Sequence, residues 1–135
     1  MNKDLNLQET FKLAIESHQK NNLEVAISLY NKILQSDPNN ASIHYNLGLA
    51  FDKKKELDKA IDSYKKVIEI DPNYLSAHYN LGLIFKELGD LENEMICYKK
   101  TLSIDSNHSK ANNNIGLVFK KMGDYQKAIT YYKKA

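Results

Sequence analysis

Apolar residues recur along this chain at helical spacing. Ala60, Ile61, Tyr64, Val67 and Ile68 fall at i, i+1, i+4, i+7 and i+8, which gathers them on one stripe of a helix. Leu47, Gly48 and Phe51 form a shorter stripe before it, at i, i+1 and i+4. Both stripes return. The string HYNLGLAF at His44–Phe51 reappears 34 residues on as HYNLGLIF at His78–Phe85, and after another 34 as NNNIGLVF at Asn112–Phe119. The second stripe keeps step, since Ala26-Ile27-Ser28-Leu29-Tyr30 and Ala128-Ile129-Thr130-Tyr131-Tyr132 answer to the residues from Ala60 to Tyr64. A fixed period holding two helical stripes predicts tandem helix pairs.

The punctuation fits the same division. Asn21-Asn22, Gly89-Asp90 and Gly123-Asp124 stand between the paired helices, where a left-handed residue closes the first of them. One copy has Lys55-Glu56 there, so Lys55 is expected to adopt the left-handed conformation at a cost of about 1 kcal/mol. Pro38 and Pro72 follow the second helices and should stop them. In the third return, Asp105-Ser106-Asn107, serine replaces the proline.

Composition narrows the class. With 135 residues, 42% hydrophobic and 27% charged, the chain suits one folded domain. Only 5 Gly and 2 Pro agree with helix. The formal net charge of +2 does not point to nucleic acid, and no apolar run approaches a membrane span. All 19 basic residues are Lys, so the bidentate grip of Arg on carboxylate or phosphate is missing. The single cysteine, Cys97, allows no internal disulfide. A cytoplasmic location is the expectation, because the first residues carry no signal-like apolar run.

These features together resemble the tetratricopeptide repeat family over nearly the whole chain. Small residues sit where the paired helices of that family cross: Ala14, Gly48, Gly82 and Gly116 in the first helices, and Ala26, Ala60 and Ala128 in the second. Its large packing positions hold Phe51, Phe85, Phe119, Tyr30, Tyr64, Tyr98 and Tyr132. The resemblance implies an all-α fold, a right-handed superhelical solenoid of antiparallel helix pairs. A lead-in at 1–6 would precede a single array over 7–135. Its units would be 7–40, 41–74, 75–108 and an incomplete 109–135. Glu94 departs from the pattern by standing where other copies have Ala, and should loosen its helix pair unless it reaches solvent. Thr10 and Ser17 replace large residues of the first unit and suggest a polar, solvated end. At the other end, Ile129 and Tyr132 should leave an apolar face open. A fragment of a longer chain is expected there, with possible self-association through that uncapped end.

The resemblance also places the first helices on the concave face of the superhelix. One row there is Asn46, Asn80 and Asn114, preceded by Lys12 in the first unit. An amide side chain both donates and accepts, so one Asn per repeat could pair with the peptide groups of an extended ligand. The row is similar to the asparagine ladder of O-linked N-acetylglucosamine transferases. Beside it run Tyr45 and Tyr79, with Phe11 and Asn113 in the same row, and then Leu49, Leu83 and Leu117 after Ile15. Tyrosines of this kind are frequent binding anchors. The carboxylate clamp of chaperone-binding members is mostly missing: Phe11 and Ile15, or one repeat later Tyr45 and Leu49, fill its first positions, although Asn80 and Lys110 fit.

No catalytic residue, metal site or cofactor is expected. His44 and His78 lie one repeat apart with no Cys or carboxylate cluster to complete a zinc set, and His18 and His108 stand alone. Gly48, Gly82 and Gly116 belong to helices and not to a phosphate loop. The expected function is that of a protein–protein interaction scaffold binding an extended or helical peptide in the concave groove. The alternatives are the substrate-recognition arm of a larger enzyme such as a glycosyltransferase, or a self-assembly module.

Overall fold

The structure is a computed structural model that describes residues 6–135. The lead-in expected over 1–6 therefore lies outside the described residues, except for Asn6. Eight α-helices occur among the described residues. They are α1 (Leu7–Gln19), α2 (Leu23–Ser36), α3 (Ala41–Lys53), α4 (Leu57–Ile70), α5 (Leu75–Leu88), α6 (Leu91–Ile104), α7 (Ser109–Lys121) and α8 (Tyr125–Lys134). They pair antiparallel in chain order, α1 with α2 through α7 with α8. The chain divides into two compact units, Met1–Pro72 with α1–α4 and Asn73–Ala135 with α5–α8.

Each unit buries the stripes that the sequence spacing defines. In the first, Ala14, Ala26, Tyr30, Ile33, Ile43 and Leu47 form a continuous core, with Ile15, Ile27 and Phe51 packed on it. In the second, Tyr98, Ala111, Ile115, Val118, Phe119 and Ala128 do the same, flanked by Leu91, Met95 and Tyr132. The helices of a pair approach most closely where a tyrosine ring lies on a glycine. A Cβ added at Gly48 would stand 2.4 Å from Tyr64 Cε1, and one at Gly82 would stand 2.4 Å from Tyr98 Cε1. Tyr64 and Tyr98 are themselves fully buried, so neither ring can retreat.

The turns take the expected left-handed residues. Asn21 and Lys55 have φ of 63°, Gly89 has 77° and Gly123 has 82°. The second helices end alike. Asp37, Asp71 and Asp105 have φ of −137°, −134° and −137°, and their backbone N–H groups donate to the carbonyls of Ile33, Val67 and Thr101. Ser106 in place of proline leaves this ending unchanged. Several helices begin on a side-chain cap: Asn6 and Asn40 accept from the N–H of Glu9 and Ile43, and Asp90 and Asp124 from Asn93 and Lys127.

Two polar substitutions behave differently from each other. The first repeat does not end in a polar face. Thr10 is only 1% exposed, because its hydroxyl donates to the Asn6 carbonyl at 3.1 Å and so needs no water. Leu7, Phe11 and Leu13 are exposed instead. Glu94, by contrast, is buried with one carboxylate oxygen unsatisfied. It is 1% exposed and its Oε1 has no hydrogen-bond partner. Burial and the nearby Glu94 carboxylate push the Tyr98 hydroxyl far above the usual phenol range.

Two stability changes follow. Replacing Glu94→Ala, the residue of the other repeats, should raise the unfolding free energy by about 1–3 kcal/mol in urea denaturation, since it removes an unsatisfied buried group. No change, or a loss, would show that the carboxylate is compensated. Lys55→Gly should raise it by up to about 1 kcal/mol by relieving the left-handed strain, partly offset by the greater freedom of glycine in the unfolded chain.

Candidate ligand-binding faces of the first helices

Helical spacing sets which side chains the first helices leave outside. On α3, Leu47 and Gly48 turn into the core, which leaves Tyr45, Asn46 and Leu49 half-buried. On α5, Leu81 and Gly82 turn inward and leave Tyr79, Asn80 and Leu83 in the same state. Each triplet puts an aromatic ring, an amide and an aliphatic side chain side by side. The aromatic rings also pack on their own second helices. Tyr45 lies 5.7 Å from Tyr64 and Tyr79 6.0 Å from Tyr98, centroid to centroid. Such contact holds the ring's position and lowers the entropy a ligand would have to overcome.

The third member of the amide row has another partner. Asn114 is 8% exposed, and its Nδ2 donates to the Tyr79 hydroxyl at 3.1 Å. The bond ties α7 to α5, so Asn114 holds Tyr79 in place. Burial raises the Tyr79 hydroxyl pKa, and the Asn114 hydrogen bond offsets part of the rise. Leu117 is half-buried beside it, whereas Asn113 and Lys110 are exposed. Spacing alone could not name this bond, because the partner lies 35 residues away in another helix.

The first repeat offers the same rows with different chemistry. Phe11, Lys12 and Ile15 line an open groove of about 520 Å³ along α1, with Glu9 and Glu16 on its edge. This groove carries charge of both signs, where α3 and α5 carry amides.

Each of the four histidines has a structural setting. His44 Nε2 donates to the Pro38 carbonyl at 2.9 Å. His78 is buried. His108 caps α7 by accepting from the Ala111 N–H at 3.1 Å, and its ring lies 4.9 Å from Tyr79. Asn112, at the equivalent position to His44 and His78, is fully buried and its Nδ2 donates weakly to the carbonyls of Ser106 and Lys134. His18 Nδ1 meets the Tyr30 hydroxyl at 2.9 Å. Burial and then the charge of Lys53 lower the His18 pKa, and burial lifts that of Tyr30 to about 12. Among the described residues, no three His, Cys, Asp or Glu side chains converge as metal ligands, and no helix is long and apolar enough to cross a membrane.

Comparison with known proteins agrees with the repeat geometry. A family described as TPR repeat matches residues 16–55 and 53–89, and the tetratricopeptide repeat matches 75–108 and 109–135. A crystal structure of MamA is 29% identical, with a TM-score of 0.89, over 96% of this chain and 75% of that one. Another crystal structure of MamA is 25% identical, with a TM-score of 0.67, over 95% and 88%. MamA from Desulfovibrio magneticus RS-1 is 21% identical, with a TM-score of 0.84, over 96% and 73%, a likeness of fold alone. These neighbours support the repeat family in general and not the transferase arm that the asparagine row suggested. No curated protein sequence matches the chain.

The lowered His18 pKa has a pH consequence. The unfolded chain binds a proton near pH 6.5, where the folded chain still resists it, so this contribution to stability is complete above about 6.5 and lost as pH falls below. Melting temperatures taken at pH 7.5 and pH 5 should therefore differ more for the native chain than for His18→Gln. Equal differences would show that the ring titrates freely in the fold.

Proposed function

Because the chain belongs to the tetratricopeptide repeat family, we propose that it is a scaffold that binds a segment of another protein and performs no chemistry itself. The reading rests most on the repeated triplet of first-helix residues, Tyr45-Asn46 with Leu49 and Tyr79-Asn80 with Leu83. The amides suit the peptide groups of an extended ligand, and the aromatic and leucine side chains suit its apolar residues. The ligand contacts fall on the first-helix face of each unit. Asn114 contributes by positioning Tyr79 rather than by touching the ligand. Lys110, exposed at the start of α7, would meet an acidic residue of the ligand. A recognition arm within a longer enzyme would use the same faces, and the sequence that follows Ala135 in the gene decides between the two.

A peptide selected by display on the native chain provides the probe. Asn46→Ala should weaken its binding about tenfold, since the amide loses its hydrogen bonds to the ligand. Unchanged affinity would sink the amide reading. Asn114→Ala should instead lower the melting temperature.

A further inference from the structure

The outer surface of α6 differs from that of the other second helices. Ile96 is 57% exposed, at a position that holds Ser28, Asp62 and Thr130 in the other repeats. Met122, 61% exposed just after α7, stands where the first two repeats have Lys20 and Lys54 and the third has the exposed Leu88. Together with Leu91, Met95 and Phe119, these two side chains line an open groove of about 560 Å³ between α6 and the end of α7. Ile96 puts an apolar side chain where every other repeat is polar, and an apolar surface of this kind needs a cover.

The charges at its edges specify the cover. Glu92 and Lys99 also line the groove, and both are exposed. They lie seven residues apart on α6, about 10.5 Å along the helix, with Met95 and Ile96 midway between them on the same face. Neither has an ion-pair partner among the described residues. An acid and a base placed symmetrically about an apolar centre form a self-complementary surface. A two-fold axis through that centre brings each Glu92 opposite the Lys99 of a second copy, while the two Ile96 side chains enter the facing grooves. The helices then run antiparallel, as a two-fold axis perpendicular to them requires. α4 supplies the internal comparison. It carries the same charged pair, Asp58 and Lys65, but holds Asp62 between them, so it has the charges without the apolar centre.

We propose that the α6 face is a self-association surface, on which a second copy of this chain docks antiparallel with Glu92 of each facing Lys99 of the other. The contact is centred on a second helix and uses residues other than those assigned to the peptide. It is also separate from the exposed Tyr125 and Ile129 of α8.

Sedimentation equilibrium of the full chain over micromolar to sub-millimolar concentrations tests this. The native chain should fit a monomer–dimer equilibrium. Ile96→Asp, the residue that α4 already tolerates, should raise the dissociation constant on the order of a hundredfold, because the symmetry counts each change twice. Lys99→Glu should likewise dissolve the dimer by facing acid with acid. Adding Glu92→Lys to Lys99→Glu should restore it, a rescue that only self-pairing produces. Ile129→Lys should leave the dimer intact. A chain that stays monomeric throughout would overturn the proposal. So would a dimer that survives Ile96→Asp, a double variant that fails to re-associate, or a dimer lost on Ile129→Lys.

Discussion

Three helix pairs are fixed by the seating of a tyrosine ring on the backbone of a glycine, and the first has Ala14 at that position. Where Tyr64 meets Gly48 and Tyr98 meets Gly82, no side chain fits between the ring and the first helix. That closeness sets the distance between the helices, and the distance decides which neighbours turn inward. Leu47 and Leu81 enter the core, and Tyr45-Asn46 and Tyr79-Asn80 are left at the surface. The residues assigned to binding are thus placed by the residues assigned to packing. A methyl group at the glycine would widen the pair and disturb both at once.

Most of this was legible in the sequence, because the period carries it. A motif that returns every 34 residues marks its own small residues, its turns and its stops. Even Lys55, an unlikely residue for the left-handed region, could be assigned from Gly89 and Gly123 in the same register. The period hides whatever breaks the symmetry between repeats. Thr10 looked like a solvated residue, but a hydroxyl can bond back to its own helix and disappear from water. Asn114 looked like a ligand contact, yet its amide donates to Tyr79. His108 looked solitary and proved to be a helix cap. In each case a hydrogen bond to a particular neighbour decided the role, and repeated spacing has no means of naming that neighbour.

The polar groups inside the second unit give it an individual character. Glu94 leaves its Oε1 and Asn112 its Oδ1 buried and unsatisfied. Each such group works against folding. The same unit exposes Ile96 and Met122. The first unit departs from the repeat pattern in its own way, with Thr10 buried, Leu7, Phe11 and Leu13 exposed, and an ion pair from Lys54 to Glu56 at 3.0 Å across its turn. Repeats of one ancestry have come to differ in what they tolerate.

The uniform ending of the second helices bears on that ancestry. Asp37, Asp71 and Asp105 stop their helices with one backbone geometry, although only the first two are followed by proline. The stop therefore survives loss of the ring, and mutation can erase the proline without erasing the boundary. An array built this way can duplicate and drift one unit at a time while the aspartate turn keeps each helix boundary. A lineage traced through its prolines would be missing its older or faster-changing members, while one traced through those two backbone constraints would keep them.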